Sequence, residues 1–454
     1  MELPYFSDDV FYEIILRLPP RPSTLLRASL VCKRWRGIVS DPQFLPKFVI
    51  HHRSPPLLGF FSGYFGKPAF TAALDPPDRI PAELFSMPRQ LYESFSIPPR
   101  LNERWSLVGC RHGLVLFLHQ APLAMVWDPI TGANTCIAVP LEFATADRII
   151  CHGAVLCAAA AGGAHVHCGL RTCPFKVVVI FIDDHYTQAF ASVYSSESGK
   201  WGRVFSTPIP SPVSPRQPST LVGNALYWML INNGILELHL DRQCLAVIEN
   251  PVGGPLLTDH FGFQITASPD GELGLASLAR SIIQLWERKT NSGGVPTWEW
   301  GETIDLDMIL ALESGKDRIR LGILGFSEDA NAILVSMGTD AFLVHLDSKQ
   351  VRKLATSVSV TAYHPYTSFA IPGCDAKRLI HADKGGDLLM VPTDLFLSGW
   401  HYLDPRGDEQ GPFSMVELRQ WKRSGYFSQD FRVWRAGQTR EQAILLTDAM
   451  LLLL

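Results

Sequence analysis

No Asn-x-Ser/Thr acceptor occurs anywhere in the 454 residues, which predicts a chain that never enters the secretory route. The start, Met1-Glu2-Leu3-Pro4, lacks the basic and apolar regions of a signal peptide. No run approaches the ~18 apolar residues of a membrane span, and Leu451 to Leu454 is far too short to anchor anything. Nine cysteines, odd in number and scattered, do not read as a disulfide framework, so a reducing compartment is expected, cytoplasmic and/or nuclear. A net charge of −4 gives no bulk attraction to nucleic acid or to an anionic membrane. The basic run Lys33 to Arg36 is better explained as a solvated helix face or a partner contact. Also missing are a Gly-x-Ser-x-Gly elbow, a Walker A loop and a His-Glu-x-x-His helix. Asp183-Asp184-His185 reads as a turn after a strand. No catalytic residue, cofactor or metal is expected.

What is present is globular. Hydrophobic content of 47% and charged content of 19% suit a packed chain, and the length suits two or three domains. Pro 33 and Gly 35 imply many turns and short elements, hence a β-rich protein.

The first 50 residues read as helices. Ser7 can cap a helix with Asp8 and Asp9 in its first turn, and Val10, Ile14 and Leu18 form one apolar stripe. Pro19-Pro20 stops it. Pro22-Ser23 opens a second helix that carries Leu26, Leu30, Val31 and the basic Arg27, Lys33, Arg34 and Arg36, and Asp41-Pro42 opens a third. Three short helices bury little surface alone, so an extended apolar face here needs a partner. Leu3-Pro4, Ile14 to Pro20 and Leu26 to Arg36, with its Val-Cys-Lys-Arg-Trp-Arg run, resemble a plant F-box. The resemblance implies docking on the Skp adaptor of an SCF-type cullin–RING ubiquitin ligase. Leu3, Pro4, Ile14, Leu18, Pro19, Leu30, Val31 and Trp35 are the adaptor-facing set, although Trp35 suits the module's own core equally well.

Residues 51–100, with Pro-Pro pairs at 55–56, 76–77 and 98–99, read as an irregular connector. From Trp105 the chain turns β. Val177 to Ile182, Ile333 to Ser336 and Phe342 to Leu346 are short apolar strands, separated by turn signals such as Asp128-Pro129-Ile130-Thr131-Gly132 and Pro269-Asp270-Gly271. A unit of strand, polar turn and strand recurs at Val126-Trp127-Asp128, Val193-Tyr194-Ser195, Leu238 to Asp241 and Val344 to Asp347. Its spacing is near the ~40–50 residues of a propeller blade, which gives about six blades. Val108 to Leu114, Val126 to Pro129, Ser192 to Trp201 and Val222 to Trp228 resemble the β-propeller-like domain that follows the F-box in many plant proteins. That resemblance implies a target-holding role. Cys151, His152, Cys157, His165, His167, Cys168 and Cys173 cluster, but at no zinc spacing, and read as chance clustering in an insertion. Pro208, Pro210, Pro212, Pro215 and Pro218 suit an inter-blade loop better than a polyproline ligand.

Near the end, Ser414 and Glu417 form a capping box for a helix from about Met415 to Lys422, with Gly425 as a C-cap-like stop. A proline-rich helix is already ordered, and flat aromatics grip its rings at low entropic cost. The spacing of Trp400, Tyr402, Gln410-Gly411-Pro412-Phe413, Trp421 and Gly425-Tyr426-Phe427 resembles the GYF domain, with Leu418 where that family usually has Met. The resemblance implies binding of proline-rich peptides through Trp400, Tyr402, Gln410, Phe413, Trp421 and Tyr426.

The expected fold class is multidomain and mainly β: an all-α F-box (1–50), a connector (51–100), a β-propeller-like domain (101–375), a linker (376–395) and an α+β GYF domain (396–450). The expected function is substrate recognition in an SCF-type E3 ligase, with the Skp adaptor, a cullin–RING ligase, proline-rich peptides and an unidentified target as partners. The alternative is a non-degradative scaffold for proline-rich proteins. An enzyme built on the propeller is the least supported class.

Overall fold

The computed structural model describes residues 7–63, 68–85, 105–119, 122–140, 143, 148–158, 173–215, 217–232, 234–251, 262–268, 270–279, 281–291, 293–310, 321–356, 362–369, 400–404, 409–413, 418, 421–422, 427–428, 430–435 and 438–451. It divides into two compact units, one of residues 1–18, 23–46 and 370–454 and one of 19–22 and 47–369.

Four helices open the chain: α1 (Asp8–Leu16), α2 (Thr24–Val31), α3 (Lys33–Val39) and α4 (Phe44–His52). The expected long second helix is two. Cys32 is extended (φ −162, ψ 167), and its Sγ accepts the Trp35 backbone N–H at 3.5 Å, so it ends α2 and caps α3. Asp41 accepts from the Gln43 backbone N–H at 2.8 Å just before α4. Ser7 holds the N-cap position of α1, but its side chain makes no capping bond. Ile15, fully buried, is the residue of α1 that turns inward, and the edge of Tyr12 packs on Phe44 at 5.2 Å.

The described part of the supposed connector, residues 51–63 and 68–85, contains regular structure. It supplies β1 (Leu57–Ser62) and β2 (Ala69–Ala72), and every residue of β1 is buried. A strand buried on both faces shows no alternation, and flanking prolines disguise it as a loop. The Gly63-Tyr64-Phe65 run after β1 lies mostly outside the described residues.

Five antiparallel sheets follow in chain order. They are β3 (Trp105–Arg111), β4 (Leu114–His119), β5 (Leu123–Trp127) and β6 (Asn134–Ala138); then β7 (Arg148–Cys157), β8 (Phe175–Asp183), β9 (Gln188–Ser195), β10 (Lys200–Trp201) and β11 (Phe205–Pro208). Next come β12 (Thr220–Val222), β13 (Ala225–Met229), β14 (Ile235–His239) and β15 (Cys244–Ile248); β16 (Phe263–Ala267), β17 (Leu273–Ala279), β18 (Ile282–Thr290) and β19 (Pro296–Asp305); and β20 (Leu321–Ser327), β21 (Ala332–Met337), β22 (Asp340–His345) and β23 (Val351–Thr356). The sixth sheet has the order β2-β1-β24, where β24 is Tyr363–Thr367. The start of the unit therefore pairs with its end, with Phe60 opposite Pro365 and Phe61 opposite His364. Neighbouring sheets meet through β3 and β7, β12 and β16, β16 and β20, β20 and β24, and β24 and β3, while the second and third meet through β11 and β15. The unit is a six-sheet propeller ring closed by two strands from residues 57–72.

The recurring polar turns have a shared device. The Asn224 side-chain amide donates to Asp241, and that of Asn331 to Asp347 at 2.8 Å, each tying two turns of one sheet. Asp128 accepts instead from the backbone N–H groups of Ile130 (2.9 Å) and Thr131 (3.3 Å). Outer strands are also tied to the preceding sheet: the indole of Trp201 donates to the Ala138 carbonyl, and that of Trp298 to the Glu249 carbonyl, both at 2.8 Å. The proline-rich 208–218 stretch is the connection from the second sheet to the third. Ile209, Val213 and Ser214 are buried, and the Ser214 N–H donates to the Met229 carbonyl at 2.8 Å.

The last described elements are β25 (Trp400–Leu403), β26 (Glu409–Phe413), β27 (Arg432–Arg435), β28 (Ile444–Leu445) and the short helix Leu446–Leu451, with the sheet order β26-β25-β27-β28. Of the expected capping box, Ser414 and Glu417 lie outside the described residues, as do the 376–395 linker and Gly425.

Candidate interaction sites

The helical module shows an apolar face to solvent. Val10 (40% exposed) and Ile14 (44%) stand one turn apart on α1, and Leu30 (43%) and Val31 (63%) end α2. The α1 stripe read from the sequence is thus not a core stripe. Leu18 is half-buried and Pro19 exposed, whereas Leu3 and Pro4 lie outside the described residues. Trp35 is half-buried against Phe11, ring centroids 6.1 Å apart, and the Arg34 guanidinium covers the same Phe11 ring at 4.8 Å while pairing with Asp8.

At the C-terminal sheet the aromatics converge. Tyr402 stacks on Phe413 at 5.5 Å, and Phe413 meets the Trp421 ring edge at 4.9 Å. Trp421 lies 6.1 Å from Phe427, which stacks on Phe431 at 4.0 Å. Trp400 departs from the expectation. It is only 2% exposed and packs with Leu418, Val433, Leu446 and Ala449, so it holds the domain together and offers no face to a peptide. Trp400 lies on β25 in the middle of the sheet, between β26 and β27, and its ring packs into the core, with a register shift separating it from Tyr402 on the same strand. Gln410 donates to Asp404 at 3.2 Å, and His401 stacks on Trp434 beside Glu409. Tyr426 lies outside the described residues. Phe427 and Phe431 join the cluster without having been singled out. Phe427 was legible as the last residue of its motif, and Phe431 carried no signal.

The interior of the propeller is polar near its axis. Arg111 from β3 makes a two-pronged pair with Glu328, Nε to Oε2 at 2.9 Å and Nη2 to Oε1 at 2.6 Å, and also donates to the Ser219 carbonyl at 2.9 Å. Burial works against its charge, and Glu328 more than restores it. Neighbouring Asp329 accepts from Thr367 at 2.5 Å, yet burial pushes its carboxyl up to about 6. His152 is fully engaged: Nε2 meets the Gln217 carbonyl at 2.9 Å, so Nδ1 is the acceptor for the Trp228 indole at 3.2 Å. Cys151 is part of β7 with its thiol pushed up to about 12 by burial, and among the described residues no three metal-capable side chains gather. His165, His167 and Cys168 lie outside them.

Both ring nitrogens of buried His364 lack a hydrogen-bond partner among the described residues. Burial, and then the nearby His152, lower its basicity to about 3. The unfolded chain takes up a proton near pH 6.5 and the folded one does not, so this stability is complete above pH 6.5 and is lost as pH falls toward 3. Asp329 acts oppositely: the folded chain holds its proton up to about pH 6, so acidification through that range stabilises. His364→Gln is expected to remove about 1.4 kcal/mol per pH unit of acid destabilisation below pH 6. Urea unfolding at pH 6.5, 5.5 and 4.5 measures it, and parallel slopes for variant and wild type would refute the assignment.

Comparison with known proteins covers all three regions. Family models described as "F-box-like", "F-box protein AT5G49610-like, beta-propeller" and "GYF domain" match residues 8–49, 107–367 and 400–444. F-box protein At5g03970 of Arabidopsis thaliana is 22% identical over 370 residues, which is 76% of this chain and 82% of that protein. Zinc finger CCCH domain-containing protein 44 of the same plant is 57% identical over 51 residues, 11% of this chain and 4% of that protein. This chain therefore spans only a small part of that longer relative. The solution structure of the GYF domain of a hypothetical protein from Arabidopsis thaliana is 38% identical, covering 16% of this chain and 92% of that one, with a TM-score of 0.14. The three matched modules are of the protein-interaction kind.

Proposed function

Since the chain belongs to the family of F-box proteins with an AT5G49610-like β-propeller, we propose that it is the substrate-recognition subunit of an SCF-type E3 ubiquitin ligase. The F-box docks on the Skp adaptor of the cullin–RING ligase, and the propeller and GYF domain hold targets. The observation that carries this is the solvent-facing Val10, Ile14, Leu30 and Val31 on a module matched by the F-box-like family model. A small helical unit exposes such a face where a partner completes it. The chain performs no catalysis itself in this reading and works in the cytoplasm and/or nucleus. Purified full chain mixed with the Skp adaptor should co-elute from a sizing column at micromolar concentration. Separate elution would end the ligase reading.

The GYF domain holds proline-rich segments through Tyr402, Phe413, Trp421 and Tyr426, with Gln410 at the rim. Stacked aromatics contribute roughly 0.5–1.5 kcal/mol each beyond their area, and interface aromatics often carry 2 kcal/mol or more. Tyr402→Ala with Trp421→Ala should therefore weaken binding of a Pro-Pro-Gly-containing peptide at least tenfold by fluorescence polarisation. Because both residues also pack on their neighbours, Gln410→Ala serves as a gentler variant, expected to weaken binding two- to fivefold with an unchanged melting curve. A wild-type chain that treats proline-rich and scrambled peptides alike would refute the assignment.

A further inference from the structure

The fourth sheet of the propeller ends in an edge unlike the others. The outer strands β2, β6, β10, β11, β15 and β23 have 4, 5, 2, 4, 5 and 6 residues, whereas β19 has 10. Along β19 only Ile304 is buried and Trp298 half-buried, and among the described residues no strand pairs with its outer side. A long edge with free backbone donors and acceptors is a template for another strand, and proteins usually blunt it with short length or with lysines. Residues 296–305 contain no lysine or arginine.

The side chains on this edge point to one kind of occupant. Glu299, Glu302 and Asp305 are its charged residues. Trp300 is 60% exposed and rests on Trp286, ring centroids 5.5 Å apart, so its ring is held in place with a face open. Val295 (56%), Ile282 (40%) and Met308 (82%) extend the apolar surface at both ends of the hairpin and in the helix Leu306–Leu310. Glu302 already faces Lys349 at 2.9 Å, but both groups are exposed, and such a pair is worth about 0–1 kcal/mol and is readily exchanged. On β18, Lys289 is held by Glu287 at 2.7 Å and does not neutralise the edge. A second copy of the chain would set three carboxylates against three, so self-pairing is opposed.

We propose that the outer edge of β19 docks an extended basic segment of a target protein, which joins the fourth sheet as an added strand. Backbone hydrogen bonds give register, lysine or arginine side chains on one face meet Glu299 and Glu302, and the alternating apolar side chains pack on the other face against Trp300, which lies opposite Trp286 while Glu299 lies opposite Glu287. This rests on the target-holding role proposed for the propeller, and its test contains no adaptor, so its failure leaves the ligase reading standing. The probe is a fluorescent acetyl-(Lys-Val)4-amide peptide, with acetyl-(Glu-Val)4-amide as its counterpart, added to the full chain. The basic peptide is expected to bind, to slow hydrogen exchange across 296–305, and to bind at least tenfold more weakly to Glu299→Lys/Trp300→Ser. Both substituted positions are exposed, so the variant should melt like wild type. Equal binding of the two peptides, protection elsewhere than 296–305, or a wild-type dimer that the double variant returns to monomer would overturn the proposal.

Discussion

Replacing Ile14 and Val31 by aspartate is expected to lower affinity for the Skp adaptor at least 100-fold while leaving the melting temperature of the chain unchanged. The two halves of this expectation have separate causes. In the free chain Ile14 is 44% and Val31 63% exposed, so little packing is lost when they become polar. In the proposed complex each would give up apolar surface worth about 1.5–3 kcal/mol per residue, and each carboxylate would be buried without a partner. The sum exceeds the ~2.7 kcal/mol of a 100-fold change. Ile15→Ala gives the contrast: that side chain is fully buried, and its loss should cost about 2–5 kcal/mol of stability. Calorimetric titration with the adaptor, beside thermal melts, separates the two. If the double aspartate variant binds like wild type, these positions do not face the adaptor. If it unfolds, the face is internal after all.

The parts of the fold that were legible in the sequence are those whose cause is local. Asp128, Asp241 and Asp347 were visible as turn residues after apolar strands, and the structure places each in a side-chain hydrogen bond that closes a turn. The parts that were hidden depend on distant partners. Leu57 to Phe61 carried no alternating pattern because both faces are covered, and its pairing with β24 joins residue 57 to residue 367. Nothing local announces such a closure, and prolines on either side pointed the other way. The break between α2 and α3 was hidden for a different reason: Cys32 is not a usual capping residue, and only its bond from the Trp35 N–H reveals the role. At the GYF cluster, spacing located the aromatics but not their orientation. Trp400 and Tyr402 lie two apart on one strand, yet Trp400 is buried in the core and Tyr402 is half-exposed in the cluster.

Arg111→Met should destabilise the propeller by about 2–4 kcal/mol, the largest loss expected from one substitution near its axis. Breaking a buried ion pair by removing one partner typically costs about 3–5 kcal/mol, because the other charge is left uncompensated. The lower figure applies here because the Glu328 side chain keeps 25% of its exposure while that of Arg111 keeps 7%. Glu328 retains one bond, from the Leu221 backbone N–H at 2.6 Å, but the Ser219 carbonyl loses its donor. The contacts join the first, third and fifth sheets, so the loss is felt across the ring rather than in one blade. Removing the cation also takes away a charge that helps keep Asp329 ionised, which raises that carboxyl above its present value of about 6. Glu328→Gln in the Arg111→Met background removes the stranded charge and should recover at least 1 kcal/mol, a coupling expected only of groups in contact. Urea denaturation of the four proteins at pH 7.5 completes the cycle. A single variant within 0.5 kcal/mol of wild type, or losses that simply add, would mean that the pair does not clasp the ring.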